Sequence, residues 1–213
     1  MLRIDIQHAI VLDCIHTFYR MGWMALQDRI LDAASRVFSQ KGYHKACMDD
    51  IAQQADVAKG SLYYHFRNKS ALFSDVALKG MESLRSELTE AVSMSVPVER
   101  RVAAVIDRVS ALCYDYADLF SIIMSEMPEG IDVDAWERIQ ESRRSLLKYL
   151  SALLREGWQE DGSIRPLDFE AATHALMGFI YSYIRQYSGG DRERALSEIR
   201  EVIMHGIMAG KQE

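Results

Sequence analysis

The sequence has few of the residues that interrupt helices, and it has no apolar run long enough to cross a bilayer. Its 213 residues include only 3 Pro and 12 Gly. No stretch reaches the roughly 20 consecutive apolar residues of a membrane span. Hydrophobic residues still make up 49% of the chain, which is typical of a globular protein with a sizeable core. We therefore expect a helix-rich globular protein that does not enter a membrane.

Cysteines are also few. Cys14, Cys47 and Cys113 are odd in number and scattered along the chain. This pattern favours a reducing cytoplasm over a disulfide framework or a zinc site. Cys47 stands at the start of a predicted helix, where the dipole favours a thiolate, so a redox switch is one interpretation. The preferred interpretation is that Cys47 serves only as a small apolar side chain.

The net charge of −6 at first disfavours a negatively charged partner. Its distribution along the chain removes that objection. Residues 25–75 hold seven basic and six acidic residues, so the acidity lies in the remainder. A mildly basic segment followed by an acidic one permits nucleic-acid binding.

Nearly every apolar stripe has the period of an α-helix, and no strand pattern is found. Glycine, proline and polar residues mark the ends. The first predicted helix contains Ile30 to Phe38 and ends at Gly42, and two short helices follow, one with Met48 to Ala55 and one around Leu62. Further helices are predicted at about 69–94, from Pro97 onward, and at about 117–127, 133–157, 168–187 and 191–209. We therefore predict an all-α chain of about nine helices, with a three-helix helix-turn-helix head and a larger helical body.

The chain divides into three parts by this pattern. Residues 1–24 form an N-terminal extension. It is either an extra helix or, if translation starts at Met24, an upstream artefact. The head covers 25–70, and the body covers 71–213. A helix over 69–94 would be about 37 Å long, which suffices to join the two rigidly.

The most informative stretch runs from Gly42 to Lys69. It predicts two short helices joined by a tight turn at about 55–58. The second helix ends in Tyr63-Tyr64-His65, which offers a stacking surface and hydrogen-bond donors close to the Lys69 cation. That combination suits phosphates and base edges in a major groove. A purely structural bundle is disfavoured, because the order of the helices agrees with a DNA-binding motif.

The residues Ile51-Ala52, Val57, Lys59-Gly60, Leu62-Tyr63-Tyr64-His65-Phe66, Lys69 and Leu72 form a pattern that resembles the TetR (tetracycline-repressor-like) family. The resemblance is sharp over about residues 28–73. The rest of the chain is similar only in layout, with a long connecting helix and a body whose last two helices dimerise.

The resemblance implies DNA contacts from one cluster of residues. Lys59 would reach the groove or backbone, Gly60 would allow close approach, and Tyr64 would lean on a thymine methyl. The side chains of Tyr63, His65 and Lys69 would bind DNA phosphates. With Ser61 and Met48 added, the predicted set is Met48, Lys59, Gly60, Ser61, Tyr63, Tyr64, His65 and Lys69.

Three positions depart from the family pattern. Asp56 stands in the turn where Gly is frequent, and Ala58 replaces a frequent phosphate-binding Ser. Cys47 stands where Thr or Ser usually caps the second helix. Loss of two neutral hydroxyl groups predicts somewhat weaker phosphate binding.

The body is rich in aromatic and methionine residues. These suit a pocket for an apolar or aromatic effector, although core packing is the alternative for each residue. The predicted pocket residues are Tyr114, Phe120, Met124, Trp136, Tyr149, Met177 and Tyr181.

The helix over 168–187 has an apolar stripe on one side and small residues on the other. Small residues allow a second helix to approach closely, so we predict a four-helix interface between two copies. The predicted interface residues are Ala171, Ala175, Gly178, Ser182, Val202 and Gly206.

No metal site, cofactor or enzymatic activity is predicted. The pairs Glu170/His174 and Glu201/His205 have i, i+4 spacing, which surface pairing explains better than metal ligation. No metalloprotease, phosphate-loop or nucleophile-elbow pattern occurs.

The resemblance, together with the rigid connecting helix, implies a cytoplasmic homodimer that binds a near-palindromic DNA operator and represses transcription until a small-molecule effector releases it. Effector binding and dimerisation would then belong to residues 71–213. Two alternatives remain open. One is a DNA-binding activator without a small ligand. The other is a helical ligand-binding protein or enzyme that retains the head.

Overall fold

The computed structural model describes residues 6–93, 95–125, 127–187 and 190–209, and residues 6–24 by their backbone only. This part of the chain forms nine α-helices and no strand beyond one isolated bridge between Ile164 and Met208. The helices are α1 (Ile6–Lys45), α2 (Met48–Ala55), α3 (Lys59–His65), α4 (Lys69–Ser93), α5 (Val98–Asp115), α6 (Ala117–Met124), α7 (Val133–Asp161), α8 (Phe169–Tyr187) and α9 (Arg192–Ile207). The predicted all-α class and the number of helices are confirmed. None of the described helices is long and apolar enough to cross a membrane.

Helix α1 is interrupted at Gly42, as its predicted role as a helix end requires. Gly42 has φ 70° and ψ 169°, a left-handed φ that a side chain disfavours. The chain resumes one further turn to Lys45 before α2 begins. For the predicted N-terminal extension, residues 1–5 lie outside the described residues, and 6–24 continue α1 as helical backbone.

The head has a fully closed core. Helices α1, α2 and α3 meet around side chains that are at most 2% exposed, among them Ile30, Phe38, Ile51, Leu62 and Phe66. The first turns of α4 complete this core with Leu72 and Phe73. Large side chains that are almost completely buried favour one well-defined shape for this part of the head.

The body helices α5, α8 and α9 pack with the far ends of α4 and α7 around a second core. Helix α6 and the start of α7 instead pack on the head. Leu119, Ile123, Ile131 and Ile139 belong to the head core. Core packing therefore crosses the predicted boundary at residues 70 and 71, and α6 is the body helix most intimately joined to the head.

A hydrogen-bonded cluster strengthens this junction. The Tyr43 hydroxyl lies 3.0 Å from Ser70 Oγ and donates to the main-chain oxygen of Gly130 at 3.0 Å. The main-chain N–H of Asp132 donates to Ser70 Oγ at 3.1 Å, and Asn68 donates to the Asp132 carboxylate at 3.0 Å. Burial raises the pKa of the Tyr43 hydroxyl. The loop before α7 is thus tied to the end of α1 and the start of α4.

Candidate nucleic-acid interface and ligand cavities

Helix α3 is held to the head by one side and presents the other outward. Leu62 is fully buried, whereas Tyr63 is 44% and Tyr64 77% exposed. Lys59 and Gly60 are exposed at its start, and Ser61 and His65 are partly buried. An aromatic side chain left this exposed loses apolar burial, so its place on the surface suits contact with a partner.

The turn before α3 accommodates the unusual Asp56. This residue has φ 52° and ψ 55°, a left-handed conformation that Asp tolerates better than most residues. Arg29 of α1 donates to the main-chain oxygen of Ala55 at 2.9 Å. The guanidinium therefore caps the end of α2 and holds the turn without a glycine.

Cys47 acts as the N-cap of α2 in place of Ser or Thr. Its Sγ accepts a hydrogen bond from the main-chain N–H of Asp50 at 3.4 Å. Sulfur is a weak acceptor, so this cap is weaker than the hydroxyl cap it replaces. The cap role explains Cys47 without redox chemistry, and the redox interpretation stays untested.

The two predicted lysines differ in what they contact. Lys59 Nζ lies 2.7 Å from the Asp49 carboxylate, and the hydrogen bond to Asp49 raises the pKa of Lys59. Lys69 Nζ donates to the main-chain oxygens of Tyr43 at 2.8 Å and Ala46 at 3.1 Å. Burial lowers the pKa of Lys69. Lys69 thus caps the end of α1, and its contact with phosphate stays a prediction.

Met48 corrects the predicted DNA-binding set. Its side chain is only 7% exposed and packs in the head core. Met48 shares the inner face of α2 with Ile51, Ala52 and Ala55, at the helical spacing of three, four and seven residues. It therefore supports the motif from inside, and this burial disfavours the predicted DNA contact of Met48.

Gly60 has no structural need to be glycine within the protein. A Cβ atom built at this position would meet no atom within 4 Å. Glycine inside a helix is less favourable than alanine by about 0.5–1 kcal/mol. The open space in front of Gly60 lies on the exposed side of α3, where close approach of a partner requires the smallest residue.

Two cavities open inside the body. The lower cavity, about 800 Å³ with its mouth, is bounded by α5, α7, α8 and α9. The upper cavity, about 1330 Å³ with its mouth, is bounded by α4, α6, α7 and, on the head side, Leu31, Asp32 and Ser35 of α1. Leu150 and Met177 line both cavities and form the wall between them. Without the open mouths, the enclosed space is about 360 Å³ in the upper cavity and about 110 Å³ in the lower one. Only the upper cavity reaches the range of about 300–1,000 Å³ that small ligands occupy.

Three of the seven predicted pocket residues, Phe120, Met124 and Met177, line the upper cavity. The other four, Tyr114, Trp136, Tyr149 and Tyr181, line neither cavity, which corrects the prediction. Trp136 packs on the head core, and the Tyr114 hydroxyl donates to the main-chain oxygen of Gly190.

The remaining two are surface tyrosines with polar partners. The Tyr149 hydroxyl lies 3.0 Å from Thr89 Oγ1, and the Tyr181 hydroxyl accepts from Arg185 at 2.9 Å. The cavity walls are instead mainly aliphatic, from residues such as Val102, Val105 and Leu154. Such residues look like ordinary core in the sequence, so no local signal distinguishes them.

The predicted dimer residues share one exposed surface. Ala171, Ala175, Gly178 and Ser182 are exposed along α8, opposite the buried Thr173, Met177, Ile180 and Ile184. Val202 of α9 is 55% exposed, and Gly206 is exposed beside it. Within the described part of the chain, no group of three or more metal-ligating side chains forms, and His205 Nδ1 lies 2.9 Å from the main-chain oxygen of Glu201.

Comparison with known proteins agrees with this architecture. The family model for bacterial regulatory proteins of the tetR family matches residues 30–76. The HTH-type transcriptional regulator YhgD of Bacillus subtilis is 27% identical over 187 residues, covering 84% of this chain and 95% of its own length.

Solved structures share the fold over most of the chain. The fatty acid degradation regulator FadR from Bacillus halodurans has a TM-score of 0.71 and 21% identity, covering 85% of this chain and 95% of its own. FadR from Bacillus subtilis, solved in complex with stearoyl-CoA, has a TM-score of 0.68 and 24% identity, covering 84% and 98%. The family-model match and the exposed recognition helix identify residues 30–76 as the helix-turn-helix of a DNA-binding transcriptional regulator of the tetR family, and the solved structures show the same fold over most of the chain.

Proposed function

We propose that the protein is a dimeric repressor that leaves its operator when an effector with a long apolar chain enters the body. Residues 25–70 bind DNA in this proposal, and residues 71–213 bind the effector and dimerise. One observation carries it: the upper cavity is bounded by α1 of the head as well as by body helices. An effector in that cavity touches the element that positions the DNA-binding surface.

The exposed face of α8 and α9 supports the dimer. Small residues at Ala171, Ala175 and Gly178 let a second helix lie close, and Val202 adds apolar area. A two-fold axis there would present two recognition helices to successive major grooves, about 34 Å apart. The two heads would then read a near-palindromic operator.

The cavity walls support an aliphatic effector over an aromatic one. Val102, Val105, Leu150 and Leu154 provide methyl and methylene surface, and Met177 is flexible enough to adjust to a chain. FadR of Bacillus subtilis, which shares the fold, was solved with stearoyl-CoA. A fatty acid or an acyl-CoA is therefore the effector class that we propose.

Release follows if the effector binds the DNA-incompetent arrangement more tightly than the DNA-bound one. An acyl chain in the upper cavity would press on α1 and on α6, both of which contribute to the head core. Because that core is closed, the head would respond as a rigid unit. The separation of the two recognition helices would change.

An activator without a small ligand is the second candidate, and the two apolar cavities disfavour it because empty apolar space destabilises a core. An enzyme that retains the head is a third. Family membership favours a regulator over catalysis.

Gel-shift titration on DNA upstream of the protein's own gene, and on random genomic fragments, tests the proposal. We expect Tyr64→Ala to weaken operator binding about 10- to 100-fold, with the unfolding temperature unchanged because Tyr64 is 77% exposed. Tyr187→Ala, which removes a 54% exposed tyrosine from the body, is the matched control and should bind as wild type.

The effector arm adds acyl-CoA thioesters from octanoyl-CoA to stearoyl-CoA to the preformed complex. Release by one chain-length range supports the proposal, and binding must weaken steeply with salt. Specific operator binding that no fatty acid or acyl-CoA relieves would contradict the effector class. Failure to select any DNA fragment would contradict the repressor.

A further inference from the structure

The upper cavity contains an arginine whose charge a purely apolar ligand would leave unused. Arg143 of α7 lines the cavity, and its Nε is buried without a hydrogen-bond partner. Its Nη1 donates to Gln140 Oε1 at 2.9 Å. Among the described residues, Arg143 forms no ion pair with a carboxylate.

Two arginines near Arg143 in α7 and the arginine of the lower cavity differ from it, because each has a carboxylate partner. Arg144, the next residue, pairs with Glu141 at 2.5 Å on the exposed side of α7, and Arg138 pairs with Asp75 at 2.8 Å. Arg101, which lines the lower cavity, is paired with Glu160. A partly buried guanidinium without a counter-ion is unfavourable, so Arg143 has an unmet need for an anion.

The other charged groups of the upper cavity leave that need in place. Asp32 is held by Lys79 at 3.1 Å, and Lys79 also contacts Asp28. Glu87 lies at the exposed side of the cavity and forms no ion pair within the described chain. Within the described residues, no carboxylate is bonded to Arg143. An acidic group inside the cavity could therefore bind its guanidinium without displacing one.

We infer that Arg143 binds the acidic end of the effector, a carboxylate or a phosphate, while the apolar chain passes Leu150 and Met177 towards the lower cavity. This inference rests on the proposed function and specifies the ligand's charge and orientation. The guanidinium suits the task, because its fixed fork of donors binds carboxylate and phosphate oxygens in pairs.

The position of Arg143 also connects the anion to the head. Gln140, which accepts from Arg143, donates from Nε2 to the main-chain oxygen of Ile123 at 3.3 Å. Ile123 lies near the end of α6 and belongs to the head core. An anion that draws the Arg143 side chain towards itself would release or redirect Gln140 at α6.

The test measures binding of dodecanoate, dodecanoyl-CoA and the uncharged 1-dodecanol to the full-length protein by calorimetry. Arg143→Met keeps the length of the side chain and removes the charge. Arg144→Met is the matched control on the outer side of the same helix. We expect Arg143→Met to weaken binding of at least one anionic ligand about 10- to 100-fold, and to change binding of the alcohol less than about threefold. Arg144→Met should bind all three as wild type does.

The two anionic ligands distinguish the source of the acidic group. Selective loss of dodecanoate identifies a carboxylate, and selective loss of dodecanoyl-CoA identifies the phosphates of the thioester. Arg143→Lys, which keeps the charge but loses the fork, should be intermediate for the ligand affected. Thermal unfolding of each variant confirms that it is folded.

Equal binding of both anions by Arg143→Met and wild type would overturn the inference and leave the proposed function standing, provided that the ligand still releases the operator. Equal loss of the alcohol and the anions would overturn it too, because the effect would then be one of cavity shape. If wild type binds none of the three, the inference and the proposed effector class both fall.

Discussion

The head and the body use the same kind of apolar residue for different purposes. In the head, Phe38, Ile51, Leu62 and Phe66 fill a closed core, and the functional side chains of α3 lie outside it. In the body, aliphatic side chains line two cavities, and the surface that we assign to the ligand faces inward. In the proposed mechanism, the head keeps its shape against DNA, whereas the body changes shape when an effector occupies its interior.

The difference shows where binding energy can act. A closed core transmits displacement without deforming, so the head can report a movement made elsewhere. A cavity-containing body can exist in two arrangements that an effector distinguishes. The junction at Tyr43, Ser70 and the loop before α7 lies between them, and the proposed mechanism requires it to convert a body movement into a head movement.

The largest expected effect concerns the assignment of the dimer interface to the body. Gly178→Arg places a long charged side chain on the exposed small-residue face of α8, where a partner helix would have to lie. We expect a monomer by analytical ultracentrifugation. Operator affinity should fall about 10²- to 10⁴-fold, because two linked heads become independent.

Ser86→Arg is the control for that change, since it adds the same side chain at an exposed position of α4. It should leave both the mass and operator binding unchanged. A Gly178→Arg protein that remains dimeric would contradict the assigned interface. A monomer that binds the full operator as tightly as wild type would contradict the need for two heads.

A smaller effect concerns the stability that the junction between head and body contributes. Tyr43→Phe removes the hydroxyl that contacts Ser70 and Gly130. We expect the free energy of unfolding to fall by about 1–2 kcal/mol in chemical denaturation. Tyr63→Phe removes the hydroxyl of a tyrosine that is 44% exposed on α3. This control should change the free energy of unfolding by less than about 0.5 kcal/mol.

The Tyr43 hydroxyl also predicts a pH dependence. Burial raises its pKa above the ordinary value of 10.0, so the native state keeps the proton after the unfolded state has lost it. Stability from this group is therefore complete below pH 10 and falls as the pH rises above it. Wild type should lose more stability than Tyr43→Phe over that alkaline range, and parallel losses would contradict the assignment.

The smallest effect separates folding from function within the head. Gly60→Ala adds a Cβ that meets nothing in the protein. We expect a gain in stability of about 0.5–1 kcal/mol, because alanine is the better helix former. Operator binding should weaken, since the added methyl group occupies the space that the DNA backbone would use. Improved stability with unchanged operator affinity would show that DNA does not approach α3 at Gly60.

The sequence predicted the head better than the body because the head's information is local. The helix-turn-helix, its outward Tyr63 and Tyr64 and the buried Leu62 follow from residues within one short stretch. Met48 is the exception: its helical spacing with Ile51 and Ala55 predicts the inner side of α2, although the predicted DNA-binding set also includes it. The roles of Lys69 and Arg29 depend on carbonyl groups from distant parts of the chain, which no local pattern specifies.

The sequence by itself determined the nine helices, the recognition helix and the exposed face of small residues on α8, because helical periodicity and turn chemistry act over a few neighbouring residues. Only the tertiary structure decided that α6 joins the head core, that Leu150 and Met177 separate two cavities, and that Arg143 faces one of them without an ion pair to any carboxylate of the described residues. A valine or leucine has the same apolar surface in a filled core as in a cavity wall. Its role is set by how closely the facing helices approach, and that distance results from the packing of the whole chain.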